Sequence, residues 1–94
     1  MDTRASLRRD GDALVFTGAL LRSEVATLWP RAMQGVVGAR RFDLRAVDRI
    51  DSAGLAFLAE LAELGSDIVV DGTPAGLTEL SAAYRLSASL AFAH

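Results

Sequence analysis

Neither cysteine nor lysine occurs in this chain of 94 residues, and histidine occurs once, as His94. Without cysteine there are no disulfides, no thiolate nucleophile and no sulfur-ligated zinc. All ten basic residues are arginine, which removes both a Schiff-base lysine and the lysine of a phosphate-binding loop. The one imidazole ends the sequence, where nothing fixes its geometry, so a Ser-His-Asp apparatus is not expected. Long hydrophobic runs are missing too. The longest, residues 54–64, is interrupted by Glu60 and Glu63 and is far short of the roughly 20 residues a membrane-spanning helix needs. The opening MDTRASLRRDGD has no apolar core of a signal peptide, so the expected compartment is the cytoplasm, with no direct membrane insertion.

What is present fits a folded α/β domain. Hydrophobic residues make up 51% and charged residues 23%, a composition that can bury a core. The length predicts one domain over residues 1–94. A net charge of −2 and a pI near 5.2 argue against a nucleic-acid binder, which needs a broad basic surface. The adjacent pairs Arg8–Arg9 and Arg40–Arg41 are each followed closely by aspartate and read as solvated rims.

Periodicity and turn residues predict the order β-β-α-β-α-β-α. Residues 5–9 and 13–18 read as strands joined by the Asp-Gly turn of DGD, with Leu14 and Phe16 facing one side. Ser23 is the expected cap of a helix over residues 24–36, whose apolar stripe is Val25, Leu28, Trp29, Ala32 and Val36. Pro30 lies inside that stripe and predicts a kink or an early break. A strand follows over residues 40–46, then a helix over residues 52–64 closed by Gly65. The β-branched run Ile68, Val69, Val70 predicts a strand over residues 67–71 covered on both faces. Thr73 as cap and Pro74 at the first helical position predict a helix reaching Leu86, followed by a tail containing Leu90 and Phe92. Alternation in the second half implies parallel pairing and a small mixed sheet of about four strands.

The stretch VDRIDSAGLAFLAEL, residues 47–61, asks for more than this. Asp51 can accept from the free N–H groups of the helix that follows, which is ordinary capping. Capping does not account for Gly54, since glycine in a first turn costs up to about 1 kcal/mol against alanine. Something there needs little bulk. Ser52 then places a hydroxyl at the positive end of the helix dipole, with Ala53 and Gly54 leaving room for another group to approach. A phosphoryl group on that hydroxyl would block any partner docking on the turn.

This motif, strand end, Asp, hydroxyl, small residue, Gly and apolar helix, resembles the STAS domains of bacterial anti-sigma factor antagonists and transporter accessory subunits. The resemblance covers nearly all of the chain, implies the STAS-like α/β fold, and makes Ser52 the regulatory position. A second stretch, VVDGTPAGLTELSAAYRL, looks like the single-domain STAS subunits of Mla-type phospholipid-transport ABC complexes. It implies a non-catalytic accessory subunit bound to the cytoplasmic ATPase, and through it to the permease complex, peripheral to the inner membrane. The role implied is support of outer-membrane lipid asymmetry, with Trp29 and Ser52 facing the ATPase. An anti-sigma factor antagonist, with Ser52 phosphorylated by a partner kinase, is the alternative.

The helix after the turn offers a docking face of its own. Leu55, Leu58, Ala59 and Ala62 form one stripe; Phe57, Leu61 and Leu64 form a second, turned by roughly a third of a circle. One sheet cannot cover both, so the second stripe is expected to be free for a partner. The expected partner-binding residues are therefore Trp29, Asp51, Ser52, Ala53, Gly54, Phe57, Leu61 and Leu64, and Ser52→Glu or Phe57→Asp is expected to break docking in a folded domain. Asp48 and Asp51 are the one carboxylate pair an enzyme could use, but no histidine, lysine or cysteine completes such a site. No catalytic residue, cofactor or metal is expected.

Overall fold

A computed structural model describes residues 5–65 and 67–83. Strands β1 (Ser6–Asp10) and β2 (Ala13–Leu20) form the opening hairpin, antiparallel with Asp10 opposite Ala13. Gly11 takes the first position of the two-residue loop with φ +61, the positive value such tight turns require. Helix α1 (Arg22–Gly35), strand β3 (Arg41–Ile50), helix α2 (Ser52–Leu64), strand β4 (Val69–Asp71) and helix α3 (Leu77–Ala83) follow. The sheet order is β1-β2-β3-β4, with β2, β3 and β4 parallel, so the fold is the expected mixed α/β sheet.

Strand β3 is longer than its alternation suggested. Phe42 and Leu44 are two residues apart, but the next buried residues, Val47 and Ile50, come at steps of three. Two irregularities in the pairing with β2 absorb the difference. Val15 and Thr17 lie opposite Asp43 and Ala46, and Gly18 and Ala19 lie opposite Val47 and Arg49, so β3 carries an extra residue each time. The bulges keep Val47 and Ile50 on the core side and bring the end of β3 level with the end of β2, where Leu20 pairs with Ile50.

Several local expectations change. Ser23 does not cap α1; the helix starts at Arg22 after Leu21, which offers no side-chain acceptor. Pro30 does not break it. Both Pro30 and Ala26, whose carbonyl loses its usual N–H donor to the proline ring, are exposed, so water can satisfy that carbonyl. β4 is an edge strand of three residues rather than one covered on both faces. Ile68 is buried just before it, while Val69 is 51% exposed on the face the described helices leave bare. Thr73 and Pro74 do not open α3, because Ala75 forms a parallel bridge with Arg49 and accepts from the Ile50 N–H at 3.0 Å. Gly76, at φ +94, then passes so close beneath the Ile50 carbonyl that a Cβ would lie 2.6 Å from its oxygen. Tyr84, Leu86, Leu90, Phe92 and His94 lie outside the described residues.

The core lies between one face of the sheet and the helices. Phe16 meets Phe42 edge-on at 5.7 Å and Phe57 edge-on at 6.2 Å, and Trp29 of α1 leans on Phe57 at 5.5 Å. Phe57 and Leu61 are thus core residues, 2% and 0% exposed, and the free second stripe expected on α2 is not there. The sheet takes one flank of the helix, and α1 takes the flank that a single sheet could not.

This reverses one expected outcome. Phe57→Asp would place a carboxylate between two aromatic rings, Phe16 and Trp29, and unfold the domain rather than leave it intact. Phe57→Ala should lower the unfolding free energy by about 3–5 kcal/mol, whereas Leu64→Ala should change it by no more than about 0.5 kcal/mol. Urea titration measures both, and a loss below about 1 kcal/mol for Phe57→Ala would contradict its burial.

Candidate functional site

The junction of β3 with α2 is built around the Asp51 carboxylate. One oxygen, Oδ1, accepts from the Gly54 N–H at 2.8 Å and caps α2. The other, Oδ2, accepts from the Arg22 N–H at 3.0 Å, in the first turn of α1. The cap that Leu21 cannot supply therefore comes from a residue 29 positions downstream. The Asp51 N–H donates to the Leu20 carbonyl at 3.3 Å, and its carbonyl accepts from Leu55 at 2.9 Å. One residue thus fastens the ends of β2 and β3 to the starts of both helices.

Partial burial pushes the Asp51 carboxyl up. The backbone donors of Arg22, Gly54 and Ala53 outweigh it together and hold the group below the usual carboxylate range. Asp43, on the bare face of the sheet, is held down to about 2, because Arg45 donates to it from its side chain at 2.8 and 3.0 Å and from its backbone at 3.0 Å.

The four residues of the DSAG turn divide into two roles. Asp51 is half-buried and engaged as a cap; Gly54 is buried. The room Gly54 leaves is already taken by the domain itself. A Cβ there would overlap the Leu20 carbonyl oxygen and lie 2.9 Å from Ile50 Cγ1, so this glycine lets α2 pack against the sheet and does not admit a partner. Ser52 is exposed and Ala53 half-buried. The Ser52 hydroxyl therefore stands open at the positive end of α2. The carboxylate beside it is committed to the backbone donors of Arg22 and Gly54, so it is not a free base for the hydroxyl.

Trp29 is half-buried, against Phe57 on the α1 side of the same helix pair. Leu64 is 55% exposed, but it ends α2, about 18 Å along the axis from Ser52. It lies beside Gly38, Ala39, Arg40 and Gly65 in a shallow depression, so it does not share a patch with the hydroxyl. The structure sets residues 51–54 at the start of α2 and Trp29 of α1 against Phe57 further along the helix pair, sinks Phe57 and Leu61, and sends Leu64 to the far end.

Two contributions were hidden in the sequence. The Arg22 N–H is a partner of Asp51, and the only local sign is the absence of a capping residue at position 21. Arg9 is exposed as a rim residue but has a further role: its guanidinium donates to the carbonyls of Gly35 and Val37 at 2.6 and 2.7 Å, closing the C-terminus of α1, which has no basic residue of its own in the last turn. Arg41 likewise pairs with Asp71 at 2.6 Å. Among the described residues no cluster of three metal-ligating side chains occurs, and no buried side-chain polar atom lacks a partner.

Two parallel helices rising from one end of a mixed sheet, pinned by one carboxylate and presenting an open hydroxyl, define the class: a small α/β module organised by a strand-turn-helix junction. The chain belongs to the STAS domain family, and a family model described as "Mlab, STAS domain" matches its residues 3–91. Its sequence is 30% identical over 94 residues to the intermembrane phospholipid transport system binding protein MlaB of Escherichia coli (strain K12), covering 96% of this chain and 97% of that one. The protein of the same name from Shigella flexneri matches with the same identity and coverage.

Because its folded value is depressed, the Asp51 carboxylate contributes stability that is fully present above the unfolded aspartate value of about 3.9 and is lost as pH falls through the folded one. Asp51→Asn keeps one acceptor and loses the other, and should lower stability near neutral pH by about 1–2 kcal/mol. The deficit should shrink below about pH 4 as the wild-type carboxyl protonates. Denaturation midpoints across pH 2–7 report this, and a deficit that stays constant to the acid end would contradict the double cap; the slope due to Asp43 remains in both proteins.

Proposed function

We propose that this chain is a non-catalytic accessory subunit of a Mla-type phospholipid-transport ABC complex. It docks on the ATPase at the cytoplasmic side of the inner membrane and supports outer-membrane lipid asymmetry. The observation that carries this reading is the exposed Ser52 hydroxyl, fixed at the start of α2 by Asp51 and set on the same helix pair as Trp29. The names of the similar proteins, binding proteins of an intermembrane phospholipid transport system, support the choice of partner. The docking face consists of Ser52, Ala53 and the outer edge of Trp29; Asp51 and Gly54 shape it from below, while Phe57 and Leu61 support it from the core. No described helix is long and apolar enough to cross a membrane; in this reading the chain reaches the membrane through the transporter.

An open hydroxyl at a helix N-terminus also suits phosphorylation, and with it the role of an anti-sigma factor antagonist switched by a partner kinase. Intact-mass measurement of the protein from its own cells separates the two: stoichiometric phosphate on Ser52 favours the antagonist.

Co-purification with the ATPase from a detergent extract tests the docking reading. Ser52→Glu and Trp29→Ala should each reduce recovery about tenfold or more, the loss of one central interface contact. Leu64→Ser, at the far end of α2, should leave recovery unchanged. Circular dichroism confirms that the variants are folded; full recovery with both Ser52→Glu and Trp29→Ala removes the proposed face.

A further inference from the structure

The two helices that carry the docking face do not have separate N-terminal caps. Helix α1 has no side-chain cap of its own, and the acceptor of its Arg22 N–H is Asp51 Oδ2 at 3.0 Å, while Oδ1 of the same carboxylate caps α2 at 2.8 Å. The next residue after Asp51 is Ser52, exposed at the first position of α2. A charge at residue 52 therefore lies one residue from the single group that holds both first turns.

We propose that Asp51 is a positioning residue that couples the helices, so that an anionic group brought to Ser52 acts on α1 as well as on α2. Two effects work in the same direction. The new anion repels the Asp51 carboxylate, and it competes for the unpaired N–H groups of the first turn of α2. A carboxylate drawn or pushed out of the bridge gives up Arg22, for which no alternative side-chain acceptor exists at position 21. The first turn of α1 then frays, and the disturbance reaches Trp29, which packs on Phe57 two turns further along. The recognition surface thus changes as one unit, through bonds rather than through bulk alone. The inference deepens the docking reading by naming how that surface would be regulated, and it can be tested without any partner.

The experiment uses the isolated full chain and compares Ser52→Glu with Ser52→Gln, which adds the same bulk without the charge. Amide exchange by NMR over residues 22–25 should be about threefold or more faster in Ser52→Glu than in Ser52→Gln at low salt. The gap should narrow in 1 M salt, where the screening length is about 3 Å. Trp29, the only tryptophan, should show a matching change in emission. The decisive comparison repeats the pair on Asp51→Asn, where the charge at residue 52 should no longer move the α1 amides. Equal exchange at residues 22–25 in the two variants, acceleration confined to α2, or an effect that persists on Asp51→Asn each overturns the coupling. Because no ATPase enters these measurements, failure here leaves the docking reading standing, and failed co-purification leaves the coupling standing.

Discussion

One carboxylate holding two helix starts is the constraint on which the arrangement of this domain rests. Each helix N-terminus leaves four backbone N–H groups without intrahelical partners, and two such ends side by side would repel as like partial charges. Asp51 places a negative charge between them and satisfies one donor from each at 3.0 Å or less. Its own N–H, donated to Leu20, and its carbonyl, accepting from Leu55, fix where that charge sits. Removing it would leave α1 without a cap and α2 without its best one, which is why a residue of the turn has consequences for a helix 29 positions earlier.

The other end of α1 is closed by the opposite charge from the opposite side of the chain. Arg9, on β1, donates to the carbonyls of Gly35 and Val37, where the helix dipole is negative. Helix α1 is therefore electrically terminated at both ends by groups from elsewhere: an acid at the β3–α2 turn and a base on the edge strand. Glu24 adds a third tie, accepting from the Ala5 N–H at 2.8 Å. A helix with a proline in its middle gains little from its own propensity, and these tertiary ties, together with Leu28 and Ala32 in the core, explain why it nevertheless runs unbroken to Gly35.

How far the sequence reveals this depends on whether the signal is local. The element order follows from turn residues and periodicity, and the DSAG turn could be placed between strand and helix because Asp51 has an acceptor role any helix start would use. Non-local features were misread. Gly54 signals a lack of space, but spacing cannot say whose atoms occupy it, and they turn out to be Leu20 and Ile50 of the same chain. Phe57 and Leu61 lie off the stripe that one sheet can cover, yet α1 packs close enough to bury them, a tertiary contact that helical periodicity does not reveal. The two bulges in β3 convert a period of two into steps of three, so Val47 and Ile50 looked like the end of a strand rather than its continuation. Arg9 and Leu21 carry the subtler lesson, since a missing cap in one place was the trace of a cap supplied from another.

Helix α2 shows why recognition falls on so few positions. Gly54, Leu55, Phe57, Leu58, Ala59 and Leu61 are all buried, so substitutions along most of its length act through stability before they act on any partner. Its freely accessible positions are Ser52, then Ala56, Glu60 and Glu63 along the outer side, and Leu64 at the end. Ser52 alone among them combines a hydrogen-bonding side chain with the helix N-terminus and a backbone held on two sides by Asp51. Within four consecutive residues the chain alternates between a group that builds the fold and a group the fold displays. A change at residue 51 or 54 reaches a partner only by deforming the domain, whereas a change at residue 52 reaches it directly and also bears on the acid next door. That adjacency makes the hydroxyl suited to regulation, because the same small site is both the contact and the lever on the helices around it.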